Sequence, residues 1–545
     1  MSRAPQSGDV RARGLGGVGG AARVQGDERN TRGPSAQPKS GQRGAYKPMA
    51  KASRAQRVSE GTVVVTSLAT KNARGAKGPC GGHVGNVRTH EGMTGSPGSN
   101  HPGGRESIDK VRQLQRRLWV AAKRSPERRF HALMDRIWRD DVLQEAWRRV
   151  KRNRGAAGVD GATLDAVEQY GVERLLEELA AVLRAGTYRP QPVLRRYIPK
   201  ADGRQRPLGI PTVRDRVAQM AATLVLEPIF EADFRPSSYG FRPKRSATQA
   251  LETLRVHGAR GGTHVLDADI RDYFGSIDHQ RLLTLVGRRV SDRRVLKLLR
   301  QWLAAGVMEE GQWTATRTGT PQGGVISPIL ANIYLHYALD VWFQKMVIPH
   351  CHGEACLIRY ADDFVCAFEK EEDALNFHEV LGKRLGKFGL ELSAEKTRVI
   401  PFSAKALGKS SFDFLGFEFR WGQDRKGKPH LNKRTARKSL RNSQKRFNLW
   451  CRDNRHRRLP ELFKALNAKL SGYYNYFGVY GNLPSLNAFF LHAVRTLWKH
   501  LNQRSQRKSY NWLGFNQLME QFNIAKPHIV NRPKRAPMRV ASGWT

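Results

Sequence analysis

Apolar residues recur along this 545-residue chain at two different spacings, and the switches between them mark its elements. From about Glu106, DKVRQLQRRLWVAAKRSPERRFHALMDRIWRDDVLQEAWRRVKRN sets Leu, Trp, Phe, Ile and Val at helical intervals among arginines, the pattern of amphipathic helix on helix. RNRGAAGVDGATLDAV follows as a Gly-rich loop entering a helix whose N-cap is Thr163 or Asp160. Further helices are expected over Val213–Phe230 and Ala247–Val256, in QRLLTLVGRRV and RRVLKLLRQWLAAG, and as one long apolar helix in SPILANIYLHYALDVWFQKM. Shorter runs read as strands. RRYIPKADGRQRPLGI gives two about the turn Ala201–Gly203, THVLDADI gives one, and ACLIRY with FVCAF gives a tight hairpin tipped by Ala361, Asp362 and Asp363. Residues 1–104 carry no sustained period apart from Thr62–Ser67 and read as a disordered tail. No internal repeat is seen.

Charge changes this picture most. Against 48 Asp+Glu stand 94 Lys+Arg, a net charge of +46, which implies a polyanionic partner whose phosphates those side chains neutralise. The tail holds 16 basic and 5 acidic residues. It is read equally as a non-specific RNA tether or as the product of a start codon placed too far upstream. Residues 425–458 hold 14 basic residues and one acid on a helical pattern with Leu440, Phe447 and Trp450, opening a basic helical domain that runs to about residue 525. A hydrophobic content of 39% excludes wholesale disorder, and the length leaves room for about three or four domains. No run approaches the roughly 18 apolar residues of a membrane span, and the N-terminus lacks an apolar secretory core, so a soluble intracellular protein is expected. Five scattered cysteines suit a reducing compartment. Cys351-His352-Gly353-Glu354-Ala355-Cys356 lacks the second ligand pair of a zinc site.

Two strand-like runs end in acids: Val265-Leu266-Asp267-Ala268-Asp269-Ile270, and Ile358-Arg359-Tyr360-Ala361-Asp362-Asp363-Phe364-Val365. Carboxylates at the ends of buried strands are costly unless something positive compensates them. A neighbouring arginine could do so. On adjacent strands of one sheet, the same acids would instead form an oxygen-rich cluster able to hold two Mg²⁺ ions for in-line phosphoryl displacement.

Tyr360-Ala361-Asp362-Asp363 resembles the signature hairpin of reverse transcriptases. Its neighbours resemble, in order and spacing, the blocks of group II intron reverse transcriptase/maturases. These are AAGVDG (156–161), IPKADGRQRPLGIPTVRDR (198–216), SYGFRPKRSATQAL (238–251), LDADIRDYFGSIDH (266–279), GTPQGGVISPILANIYL (319–335), RYADDFV (359–365), GLELSAEKT (389–397) and FDFLGFEF (412–419). Together they cover about residues 110–500.

The resemblance implies an α+β right-hand polymerase, with fingers and a palm built on an antiparallel sheet, followed by a helical thumb/maturase domain. Boundaries are expected at 1–104 for the tail, 105–178 for a helical N-terminal extension, 179–422 for fingers and palm, 423–525 for the thumb, and 526–545 for a basic tail. Asp269, Asp362 and Asp363 are implied as catalytic, and with Ile270 as the holders of two Mg²⁺ ions, for which Mn²⁺ can substitute. Asp267 has a supporting role, while Asp272 and Asp278 read as solvated loop acids. Lys200, Arg206, Ile270, Phe274, Gln322 and Lys396 are implied nucleotide contacts. Among them Phe274 is the ring that excludes a 2′-hydroxyl, or else a core residue, and Lys396 is a proton donor to pyrophosphate, or else a surface lysine. Lys433, Arg437, Arg441 and Lys445, on a helix expected over 433–446, are read as RNA contacts or else a solvated face, and Tyr473 and Tyr474 as RNA contacts whose rings stack on unpaired bases or else form the helix core.

The function so implied is RNA-directed DNA synthesis from an RNA template, a DNA primer and dNTPs, joined to binding of a group II intron RNA that assists its splicing and mobility. The alternatives are a splicing-only maturase and a domesticated reverse transcriptase in phage defence or repair. The expected setting is a prokaryotic cytoplasm, nucleoid-associated when on DNA, with no membrane partner. The nuclease domain often fused to this family is not expected here, since Cys451 is the one cysteine after Thr397.

Overall fold

The computed structural model describes residues 103–199, 205–316, 318–320, 323–406, 408, 410–424, 426–504 and 509–530. Residues 1–102, with the tail and the Thr62–Ser67 run, lie outside the described residues, as do Lys200, the Ala201–Gly203 turn, Gln322 and residues 531–545. Eleven strands occur among the described residues: β1 (Val193–Pro199), β2 (Gln205–Ile210), β3 (His264–Ala268), β4 (Val307–Glu309), β5 (Gln312–Thr314), β6 (Ala355–Tyr360), β7 (Asp363–Phe368), β8 (Arg398–Pro401), β9 (Ser411–Phe414), β10 (Phe417–Gln423) and β11 (Pro429–Thr435). They form three sheets, in the orders β2-β1-β4-β5, β6-β7-β3-β8 and β11-β10-β9.

The central sheet β6-β7-β3-β8 is antiparallel throughout. Its strands read as unbroken apolar runs because both faces are covered. Leu266, Leu357, Phe364, Cys366 and Phe368 enter a core shared with helices Val213–Glu231, Ser327–Leu335 and Glu371–Gly386. Val265, Ile358, Val365 and Ala367 point the other way, into a second core with helix Ala247–Ala259 and the three-stranded sheet. Side chains alternate along a strand, so Asp267, Asp269 and Asp363 share the second face, whereas Arg359 enters the first.

Local chemistry sets the helix ends. Thr163 caps its helix by accepting from the Ala166 amide at 3.1 Å, while Asp160 makes only a local turn to Ala162. Ser246 and Gln249 form a capping box on helix Ala247–Ala259, and Asp278 caps helix His279–Gly287 by accepting from the Arg281 amide. Asp278 is therefore a structural cap worth about 1 kcal/mol, which corrects its reading as a solvated loop acid. The long apolar helix beginning at Ser327 is not uniform: π-helical turns interrupt it at His336–Asp340 and Phe343–Val347.

Four helices, Arg437–Asn454, Leu459–Phe477, Leu483–Leu501 and Trp512–Gln521, close around a third core. Three expected boundaries are displaced. Helix Val172–Ala185 runs through 178, and β10 runs through 422 into a hairpin with β11. Residues 526–530 are packed: the Val530 amide donates to Gly478 at 2.8 Å and the His528 ring lies 5.6 Å from Tyr474. Among the described residues no helix is long and apolar enough to cross a membrane.

Candidate active site

Pairing between β3 and β7 ends at Ala268↔Phe364, so one step further along Asp269 lies opposite Asp363. Asp362 occupies the two-residue turn Ala361–Asp362, which Tyr360↔Asp363 closes. Only Ala361 in this turn has positive φ, at 60°, the sign pattern of a type II′ hairpin turn. The chain after β3 is pinned by two hydrogen bonds, Ser393 N to Asp269 O and Arg271 N to Glu391 O, both 2.8 Å. They flank the bridge Ile270↔Leu392 and leave the Ile270 carbonyl directed away from that segment. The hairpin and the β3 end thus bring Asp269, Ile270, Asp362 and Asp363 together.

Burial first, and repulsion after it, shape the electrostatics here. Burial holds the Asp362 carboxyl above the ordinary range and Asp269 raises it further, while its own amide, Arg206 and Arg359 pull it down. Asp363 is pushed up to about 7, by the protein packed around its carboxyl and then by Asp362, Asp269 and Asp267, with Lys396 opposing. Its strand end reaches solvent, which screens part of that effect. Asp267 is pushed up to about 6 by burial, against Arg398 and with Asp269 and Asp413 adding to it. The Lys396 ammonium is ion-paired with the Asp269 carboxylate. Hard carboxylate oxygens held close against mutual repulsion form a donor set suited to Mg²⁺ or Mn²⁺. Among the described residues no three acidic, His or Cys side chains yet converge as a closed metal cage. Carboxylates are the donor type such an ion takes, so the acids suit it by their chemistry and not by their convergence.

The residues expected to contact a nucleotide fall on three segments. Arg206 stands on β2 opposite Ile198, exposed and near enough to Asp362 to lower its carboxyl. Phe274 is half-buried on the short helix Tyr273–Ser276, edge-on to Tyr273 at 5.4 Å, and its carbonyl accepts from the Thr320 amide at 2.8 Å. Gly319 makes that contact possible, since a Cβ there would lie 2.9 Å from the Phe274 carbonyl oxygen. The loop then crosses β2 at Gly323, where a Cβ would come within 2.6 Å of the Gly209 carbonyl oxygen, and Gln219 fixes its exit by accepting from Val325 N at 2.9 Å. Gly319 and Thr320 thus pack on Phe274, and Gly323 packs on β2.

On the thumb side the structure corrects three expected RNA contacts. Lys433 lies on β11, not on a helix. Its side chain is 6% exposed and ion-paired with Glu252, so it closes the packing between β11 and helix Ala247–Ala259. Tyr474 is fully buried and donates to the Ala525 carbonyl at 3.2 Å. Tyr473 stacks on Phe489 with centroids 3.8 Å apart, so a ring face that a base would need is taken. Arg437, Arg441 and Lys445 are exposed at four-residue steps on helix Arg437–Asn454, a single basic stripe.

Sequence reading missed two features. Tyr476 is 40% exposed, bonds the Leu415 carbonyl at 3.0 Å, and feels the Asp363 charge, which adds to burial in pushing its phenol up to about 12. Arg359, Asp340, Asn332 and Ser238 form a buried polar cluster beneath the hairpin turn. Its members are far apart in sequence, so no spacing signals it.

Residues 198–419 match the family model described as reverse transcriptase (RNA-dependent DNA polymerase). Protein YkfC of Escherichia coli is 35% identical over 53% of this chain and 84% of its own length. The group II intron-encoded protein LtrA of Lactococcus lactis is 29% identical over 66% of this chain and 72% of its own. A shorter match of 33% identity, over 16% of this chain and 12% of the relative, is to the mitochondrial nuclear intron maturase 1 of Arabidopsis thaliana. Matches of this extent, laid over the hairpin and its paired acids, mean that the chain belongs to the group II intron-encoded reverse transcriptase/maturase family.

Proposed function

We propose that the chain extends a DNA primer on an RNA template and binds a group II intron RNA, assisting its splicing and mobility from the cytoplasm. The observation that carries the polymerase reading is that Asp269, one residue past the end of β3, and Asp363, at the start of the neighbouring β7, lie close enough to interact, with Asp362 in the turn between β6 and β7 and within reach of the Arg206 charge. Asp269, Asp362 and Asp363, with the Ile270 carbonyl, would hold the two Mg²⁺ ions, which when bound supply Lewis-acid polarisation of the phosphate and of the attacking 3′-oxygen. The chain's own residues do the rest. Arg206, with Lys200, neutralises the triphosphate; Phe274 and Gln322 face the sugar; and Lys396, once it leaves Asp269, stands close enough to the acids to give a proton to departing pyrophosphate. Arg437, Arg441 and Lys445 follow an RNA backbone by phosphate contact.

Extension of oligo(dT) on poly(rA) with Mg²⁺ and dTTP tests the reading. The wild-type chain should extend with dTTP and poorly with UTP, and Phe274→Val should raise ribonucleotide use about tenfold or more. A folded wild-type chain that promotes intron excision but never extends a primer would leave the splicing-only maturase standing instead.

A further inference from the structure

Beneath the hairpin turn lies a guanidinium with no donor left over. Arg359 and Asp340 are both fully buried. Arg359 Nε donates to Asp340 Oδ1 at 2.7 Å, and Nη2 donates to Asp340 Oδ2 at 2.6 Å and to Ser238 Oγ at 2.8 Å. Nη1 donates to Asn332 Oδ1 at 3.0 Å and to the Ala361 carbonyl at 2.9 Å. All five N–H groups are used. The last bond holds the backbone of the residue immediately before Asp362.

Each partner is itself fixed. The amide of Asn332 donates to the Gly240 carbonyl at 2.8 Å. Gly240 lies so close to the turn that a Cβ there would be 2.3 Å from the Ala361 nitrogen. The Arg359 backbone is gripped from the same side, its amide donating to Ser237 O and its carbonyl accepting from Tyr239 N, both at 2.8 Å. On the helix, Asn332 and Asp340 are eight positions apart. At about 100° per residue their side chains would diverge by about 80°. The π turn His336–Asp340 takes in about one extra residue, which brings the divergence to about 20° and lets both reach one guanidinium.

We propose that Arg359 is a positioning residue: its fork ties the Ala361 carbonyl to Asp340, Asn332 and Ser238, and so sets where the turn presents Asp362. Ala361 adopts a left-handed φ of 60° that an alanine seldom holds unaided, and this bond together with the Gly240 contact keeps it there. Arginine is required for shape, since a lysine ammonium has no planar fork with which to join a carboxylate, an amide, a hydroxyl and a carbonyl at once. The proposal rests on the polymerase reading above.

The full chain carrying Arg359→Lys tests it, alongside Asn332→Ala, which spares the Arg359–Asp340 pair. Displacing a reacting group by about 1 Å costs about 10²-fold in rate. Arg359→Lys should therefore lower kcat for dTTP on poly(rA)/oligo(dT) about 100-fold and Asn332→Ala about tenfold. Both should leave KM for dTTP and affinity for template within about threefold, and both should need more Mg²⁺ for half-maximal rate. A second readout needs no turnover. Iron(II) bound at the acids directs hydroxyl-radical cleavage near residues 269 and 362 in the wild-type chain, and that cleavage should weaken in folded Arg359→Lys. Both variants turning over at the wild-type rate with the wild-type Mg²⁺ requirement, or cleaved like wild type, would overturn the proposal and leave Arg359 as a core ion pair. An inactive wild-type chain would sink the polymerase reading, while the cleavage comparison would still decide the role of Arg359.

Discussion

Two groups of carboxylates meet within a few residues of the β6–β7 turn, and they are handled in opposite ways. Asp340 is fully enclosed and its charge is matched by a guanidinium at two bonds. Asp362 and Asp363 stand instead among acids: burial and then Asp269 raise the first, burial and then Asp362, Asp269 and Asp267 raise the second, and positive charge comes only from Arg206, Arg359 and Lys396. Protein interiors do not tolerate the second arrangement without a purpose, because like charges in a poorly solvated place destabilise the fold. The paired acid belongs to the architecture, and the repelling acids are the ones to which we assign the chemistry.

Removing an acid should therefore have opposite effects at the two places. Asp340→Asn leaves Arg359 buried without its counter-charge and should destabilise the chain by about 3–5 kcal/mol in denaturant unfolding. Asp363→Asn relieves repulsion and should leave stability within about 0.5 kcal/mol, or raise it, while extension falls. Equal losses of stability would erase the distinction.

The two kinds of basic residue on the thumb side separate in the same manner. Reversing Arg437, Arg441 and Lys445 to Glu should weaken RNA binding about 10- to 100-fold. The slope of log affinity against log salt should become shallower by roughly 3 on a duplex, about 0.9 for each phosphate no longer neutralised. Lys433→Glu, by contrast, should register first as unfolding, since Lys433 closes on Glu252.

The dependence on pH has a definite sign. The folded-state carboxyls of Asp267 and Asp363 lie near 6 and 7, above an unfolded value of about 4. Their contribution to stability without metal is fully present below about pH 4 and is lost as pH rises through 6 to 7. A divalent cation should offset that loss. At ten times its Kd, Mg²⁺ should add about 1.4 kcal/mol, a few degrees in Tm, at pH 8 and close to nothing at pH 5. A Tm increment independent of pH would place the metal elsewhere. The smallest effect belongs to Tyr474→Phe, which should cost about 1 kcal/mol through its bond to Ala525 and leave RNA affinity unchanged.

What the sequence made legible follows the range of the interactions. The alternation and turn residues of ACLIRY-AD-DFVCAF fix a hairpin locally, and β3 is an equally plain apolar run, so the acids' places at the strand ends are legible in the sequence. The Arg359 fork could not, because its partners lie 19, 27 and 121 residues away. The π turn that aligns two of them has no signature of its own. In β11 the inward positions are Leu431, Lys433 and Thr435, so a buried lysine hid the two-residue period behind a basic composition. In the thumb the signal was present: Leu462, Leu466, Leu470 and Tyr474 recur every four residues and are buried together, which marks Tyr474 as core. Of the two readings open for the tyrosines, base-stacking ring or helix core, that period selects the core for Tyr474.

If Asp362 and its neighbours serve phosphoryl transfer and not RNA attachment, the two activities must part at a single side chain. Asp362→Asn and wild type, taken through one preparation, are to be compared for primer extension on an RNA template with Mg²⁺ and for template affinity at the same salt concentration. Extension should fall by about 10³-fold or more, roughly 4 kcal/mol of barrier, while affinity stays within about threefold. Extension that persists at the wild-type rate, or an equal loss of extension and affinity, would contradict the assignment.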